Sequence, residues 1–495
     1  RLDEASTLAK VLVRWLGSEL TPTDQAALYG RAAGLLIVQR QADEGLALLD
    51  EGIDTVGGEA AQARLIAQRA LAKMTVADYE GARADAEAAI RGTEASGDAV
   101  GSSIALGVAG RIGSFWHDYR RGLEPGLQAV LVAEQEPTGE AHLHLPCFHY
   151  ALSGIDVDDM ALTTRAIERG RSAAERLGHA YAFPLYCGAS ASVHYRRGEL
   201  DDAWAEASAG LSFARDTGSH QASMWCEAFR ALVALHRGEL EAARTHAAAA
   251  EAAWAEHSTP LGVDFMALAV AGVADAVGDR EKAFEVLDGA WDAFGAMGVR
   301  SCQPLLGADL VRLALATGRS RRAETIAAGL TDVAATSGLE GHRALAAHAV
   351  GLVEGDVALL RDAVARHDGT GRRLEAAVCS ADAARVAHRA NRAEVDLLER
   401  QAIERLETVG AVGTLERLQR ELGGKSSSGG RRFGWDSLTP TELAIVELVV
   451  GGLTNAQIAS ERGVSRRTVE SHLVRVYTKI GISSRVQLAV AAAER

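Results

Sequence analysis

The chain has 495 residues, with 52 Lys and Arg against 66 Asp and Glu, 48% hydrophobic and 24% charged. At about 100–200 residues per domain this predicts two to four domains with ample apolar mass for a core, and it excludes wholesale disorder. The net charge of −14, taken alone, weighs against nucleic-acid binding. Cys147, Cys187, Cys226, Cys302 and Cys379 are odd in number and never form a C-x-x-C pair. That excludes a disulfide framework and a zinc finger, and predicts a reducing, cytoplasmic setting. No run approaches the ~18 apolar residues of a membrane span, so no membrane partner is expected. The start, Arg1-Leu2-Asp3-Glu4, lacks both the layout of a signal peptide and a Met, which predicts a processed or cut N-terminus.

Weak repeat echoes come first along the chain, at Gln41–Gly45, Asp78–Ala82 and Arg121–Glu124. The clear signal follows: Gly198, Gly238, Gly278 and Gly318 recur every 40 residues. Five residues after each stand Ala203, Ala243, Ala283 and Ala323; nine after stand Ala207, Ala247, Leu287 and Ala327. Twelve after stand Gly210, Ala250, Ala290 and Leu330. These offsets share one helix face, where small side chains admit a second helix at close range. The glycine ends the preceding helix in a left-handed conformation. Each unit therefore reads as two antiparallel helices, and stacked units bury a core that none could bury alone. Further echoes lie at Glu354–Asp356 and Ala390–Ala393. Residues 1–420 are thus expected to form an α-solenoid of about ten hairpins. The Gly-to-Ala offset resembles the tetratricopeptide repeat, although the 40-residue period is longer than that family's 34 and its Trp and Pro landmarks are missing.

A Gly/Ser-rich, basic-ended linker is expected at 421–433, and a compact domain at 434–495. Thr439 is placed to cap a helix with Pro440 at its first position and Glu442 toward the positive end of its dipole. Gly451-Gly452 ends it. Thr454 caps a second helix through Glu461, Gly463 makes a tight turn, and Ser465 caps a third helix running to about Lys479. That order is a helix-turn-helix. Val469, Leu473, Val476 and Ile480 share the core-facing side. Ser465, Arg466, Arg467, Thr468, Ser471, His472, Arg475 and Lys479 are left outward, suited to phosphates and guanine edges. A last segment, Ser484–Ala493, offers Val486, Leu488, Ala489 and Val490 as a dimer seam.

The order Leu438-Thr439-Pro440-Thr441-Glu442, Gly452-Leu453-Thr454-Asn455-Ala456-Gln457-Ile458-Ala459, Val464-Ser465-Arg466-Arg467-Thr468-Val469-Glu470-Ser471-His472-Leu473 and Lys479-Ile480-Gly481-Ile482 closely resembles the LuxR-type DNA-binding domain. The resemblance covers about one-eighth of the chain. It implies a four-helix fold and adds Thr454, Asn455 and Glu470 to the DNA-facing set. Many members carry Lys where this chain has Glu470, which would accept from cytosine N4 or repel phosphate. A helical repeat region ahead of such a head resembles the C-terminal half of the large ATP-binding LuxR regulators. Their phosphate loop, Gly-x-x-x-x-Gly-Lys-Ser/Thr, is absent: Gln419 stands at the first glycine before Gly424-Lys425-Ser426.

Other clusters have blander readings. His142, His144, Cys147 and His149 fit no metal-finger spacing and read as polar residues at a helix start. Trp204 and Phe284, six residues past their turn glycines, read as packing rather than a ligand groove. Asp156, Asp158 and Asp159 read as solvated acids. Together the residues predict an all-α, non-enzymatic transcriptional regulator: a sensory solenoid tethered to a DNA-reading head. No metal and no cofactor are expected in these residues, with ATP entering only through an ATPase upstream of Arg1. The expected partners are double-stranded DNA, bound as a dimer, a protein or small-molecule inducer on the solenoid, and RNA polymerase. The alternatives are an interaction scaffold, the C-terminal part of an ATP-driven switch, and, more weakly, a sigma-factor region. The charge divides accordingly: residues 431–495 carry nine basic and six acidic groups, +3, and the rest carries −17.

Overall fold

The computed structural model describes residues 20–38, 41–115, 119–257, 261–390, 394–423, 434–435, 438–464, 466–482 and 484–493, with Val11 and Trp15. Every regular element among them is helical, as the sequence predicts. They form two compact units. The first takes residues 1–186, 217–221 and 252–263; the second takes residues 187–216, 222–251 and 264–495.

In the first unit, helices Pro22–Val38, Ala42–Thr55, Glu59–Thr75, Tyr79–Ser96, Ala99–Gly113, Leu123–Gln135, Pro146–Asp156 and Met160–Leu177 pack against their chain neighbours. The weak echoes are misplaced here. Gly45 and Gly81 lie inside helices, and the left-handed turn positions fall instead on Ala77 (φ 65°) and Asp158 (φ 66°). Of the acids near 156, Asp159 is exposed as expected, while Asp156 and Asp158 are half-buried. Asp156 accepts from Arg111 and, at 2.7 Å, from the Ser114 hydroxyl. Asp159 caps the helix Met160–Leu177 by accepting from Leu162 N at 2.8 Å. The clustered histidines do not converge on a common point, His142 being buried and His144 and His149 half-buried: desolvation lowers His144 to about 4 and His149 to about 3, and raises the Cys147 thiol to about 12.

The 40-residue period belongs to the second unit, and its columns are read directly from the backbone. Gly198, Gly238, Gly278 and Gly318 have φ of 73°, 78°, 91° and 76°. Ala203, Ala243, Ala283 and Ala323 are all 0% exposed. The long period follows from long helices: Leu200–Thr217 and Leu240–His257 have 18 residues each, and their partners Ser223–Arg237 and Val263–Ala276 have 15 and 14. Arg280–Ala296, Gln303–Ala316, Ser320–Ser337 and Glu340–Glu354 continue the pattern. Trp204 and Phe284 each lie beneath an arginine beside the next turn glycine, Arg237 at 5.4 Å and Arg319 at 4.5 Å.

The stack is more than a chain of neighbours. Its last helices, Val395–Thr408 and Val412–Glu421, return to the early repeats. Gly413 meets Gly238 so closely that a Cβ on Gly413 would stand 2.2 Å from the Gly238 nitrogen. His236 Nδ1 lies 2.9 Å from the Thr414 hydroxyl, and Arg417 donates to Asp275 at 3.2 Å. Between these ends a buried carboxylate, Asp382, accepts from Arg312, Arg385 and His348, each at 2.9 Å. Burial would push Asp382 up; the Arg312 charge and the other donors outweigh it and hold it well below the usual carboxylate range.

Candidate nucleic-acid interface

The head is built from helices Pro440–Val450, Asn455–Arg462, Arg466–Ile480 and Arg485–Ala493. Both predicted caps are reciprocal boxes. Thr439 N–H donates to Glu442 Oε2 at 2.8 Å while Glu442 N–H donates to Thr439 Oγ1 at 3.2 Å. Thr454 and Gln457 repeat this at 2.8 and 3.4 Å. Each box satisfies backbone donors that a helix start leaves free. Gly463, with φ 67°, makes the turn between the second helix and Arg466–Ile480, the recognition helix. Val469, Leu473 and Val476 reach the head's core with Ile445, Val446, Val449, Ile458 and Leu488, and Ile480 packs at its edge.

The residues expected to face DNA divide into three groups. Thr454 and Arg466 are exposed, and Arg466 donates to Glu470 at 3.0 Å, one turn along the helix. Glu470 therefore neutralises a neighbouring cation. Asn455 and Lys479 serve the head's own architecture. Asn455 accepts from Arg485 at 3.0 Å, and Arg485 also donates to the Leu453 carbonyl. Lys479 donates to the buried Glu442 at 2.7 Å, tying the recognition helix to the first helix start. His472 and Arg475 face the repeat region. Thr468 and His472 are both 0% exposed, contrary to their expected outward position. Ser465 lies outside the described residues, as do the side chains of Arg467 and Ser471.

In the expected dimer seam, Leu488 is wholly inside the head's own core, because the last helix packs on the first. Ala489 is half-buried and Val490 is 52% exposed, while the Val486 side chain lies outside the described residues.

His472 Nε2 donates to Asp202 Oδ1 at 2.9 Å. Arg475 donates to Asp201 at 3.4 Å, and its guanidinium lies 5.4 Å from the Trp204 ring. Asp201 also accepts from Arg237. Burial would raise Asp201, but the Arg237 and Arg475 charges outweigh it and hold it at about 2. Asp202 is likewise lowered against burial by the His472 hydrogen bond and the His194 charge. Burial, aided by Arg237, lowers Arg475 to about 10. Ligand atoms of His194, Glu199 and Asp202 lie within 4.8 Å of one another, and His194 Nδ1 donates to Glu199 at 2.6 Å. Asp201, Asp202 and Arg485 stand outside the sequence expectations, and Glu442 enters them only as a helix-start acid; for Arg485, its place just after the family pattern was the available signal.

A short helix, a left-handed glycine turn and a longer amphipathic helix, closed by a fourth helix, define a helix-turn-helix DNA-binding domain. Residues 436–492 match the model of the luxR family of bacterial regulatory proteins. The chain is 56% identical over 62 residues to a putative HTH-type transcriptional regulator of Mycobacterium bovis, covering 12% of this chain and 7% of that protein. It is 35% identical over 79 residues to the transcriptional regulatory protein LiaR of Bacillus subtilis, covering 15% of this chain and 37% of the other. The chain thus spans a small part of the length of the mycobacterial relative. The crystal structure of Rap protein complexed with competence and sporulation factor shares the fold at a TM-score of 0.50 and 13% identity, covering 78% of this chain and 99% of that one. No helix among the described residues is long and apolar enough to cross a membrane.

Proposed function

We propose that this protein is a DNA-binding transcriptional regulator in which the helical repeats control a LuxR-type head. The observation that carries the reading is the head itself: its helix-turn-helix has the family's sequence and builds both capped helix starts around one core. The recognition helix enters the major groove of double-stranded DNA, with Arg466, Arg467, Glu470 and Ser471 nearest to base edges and phosphates. Two heads read paired half-sites, and RNA polymerase is the downstream partner. The reading assigns no reaction and no cofactor to these residues, since groove recognition by a helix needs neither.

The repeats are the sensor. A cleft of about 530 Å³ in the second unit is lined by Arg361, Asp368, Arg373 and Glu404 together with Val364, Leu398 and Val409, a mixed charged and apolar lining suited to an amphipathic inducer. The Rap structure, with its bound competence and sporulation factor, shows a protein of this fold holding a partner. Selection of bound duplex from a random pool, followed by titration at rising salt, tests the reading. Log affinity falls linearly with log salt if phosphates are engaged. Absence of salt-dependent duplex binding sinks it and leaves a protein-binding scaffold.

A further inference from the structure

The recognition helix has two polar sides, and only one of them faces away from the repeats. At 100° per residue, Val469, Leu473 and Val476 point into the head's core, while Thr468, His472 and Arg475 lie about a quarter turn to one side. That side is covered by the start of helix Leu200–Thr217. His472 meets Asp202 there, and Arg475 meets Asp201 above the Trp204 ring. Arg466, Glu470 and Val474 lie on the uncovered side, with Val474 62% exposed.

A helix seated in the major groove, about 12 Å wide, has a phosphate strand along each flank. Here one flank is occupied by two carboxylates instead. Four cations of the head are committed as well: Arg475 to Asp201, Lys479 to Glu442, Arg466 to Glu470 and Arg485 to Asn455. An approaching duplex would also meet the acidic repeats within a Debye length of its own phosphates.

We propose that Asp201, Asp202 and Trp204 form an autoinhibitory dock for the recognition helix, in which two carboxylates stand where one phosphate strand would lie. Solenoid and duplex then compete for the same flank, and an inducer acts by releasing the head. The inference rests on the DNA-reading function proposed above. Trp204 supplies an aromatic floor whose quadrupole favours the guanidinium. Asp201 and Asp202 supply the charge.

The test uses the full chain with Asp202→Asn and, separately, Asp201→Asn, beside Glu324→Gln, which removes an equal charge from an exposed site on helix Ser320–Ser337. Affinity for a mixed-sequence duplex of about three helical turns is read at matched salt, together with backbone hydrogen exchange across residues 466–480. Each dock variant is expected to bind about tenfold tighter than wild type and Glu324→Gln, and to exchange faster in that helix. Unchanged affinity with unchanged exchange overturns the dock. Equal tightening in Glu324→Gln assigns the effect to bulk charge and overturns it too. Faster exchange with no duplex binding by any variant upholds the dock and removes the DNA-reading function instead.

Discussion

The repeats and the head close their cores with different side chains. The most deeply buried column of the repeats is alanine, at 203, 243, 283 and 323, whereas the head relies on Ile445, Val446, Ile458, Val469, Leu473, Val476 and Leu488. Small side chains let helices approach closely and spread burial over many modest contacts. A domain of the head's size has few contacts to share, so each apolar side chain carries more of its stability. Charge follows the same division. The repeats bury Asp382 among three donors, Arg385 from its own helix and Arg312 and His348 from two others, while the head places Glu442 at a helix start and ties it to Lys479.

The largest expected effect breaks the repeats at that carboxylate. Asp382→Ala leaves Arg312, Arg385 and His348 without their shared acceptor, and should destabilise the second unit by about 3–5 kcal/mol. Urea denaturation followed by circular dichroism measures it; a loss below 1 kcal/mol would mean that the network contributes little.

Leu488→Ala tests whether the head depends on single apolar side chains. A loss of about 2–5 kcal/mol is expected from the cavity it opens. The head should melt early while the repeats keep their own transition. If Leu488 served only a dimer seam, the monomer's stability would not change, and only association on DNA would weaken.

The smallest effect is set by pH at the dock. Asp201 is held at about 2, below the usual value near 3.8. Its contribution is therefore fully present above pH ~4 and is lost as pH falls toward 2. The size is about 2 kcal/mol, at 1.4 kcal/mol per unit. Denaturant midpoints between pH 5 and 2.5 should fall more steeply for wild type than for Asp201→Asn. Parallel slopes would place Asp201 outside the ionic contact.

The 40-residue columns were legible because every repeat states the same local requirement: a left-handed turn, then a helix with a small-residue face. The head was legible for a similar reason, since its caps, turn and apolar spacing are all local. His472 was misread because nothing on its own helix reports the surface that covers it; a polar residue beside an apolar stripe looks solvated until a distant helix arrives. Lys479 was read as a free cation because its partner, Glu442, is 37 residues away. The Arg466–Glu470 pair, by contrast, was within reach of the sequence, at a spacing of one helical turn. The return of Val412–Glu421 to Gly238 depends on rotation accumulated over several repeats, which no single repeat encodes.

That return fixes the repeat number. An open solenoid tolerates duplication or loss of a unit, because each unit touches only its neighbours. Here Gly413 must arrive opposite Gly238, backbone against backbone. One hairpin more or fewer between them would bring an unrelated residue to that position and break the His236–Thr414 and Arg417–Asp275 contacts as well. Evolutionary changes in length are therefore expected outside the segment from Gly238 to Gly413.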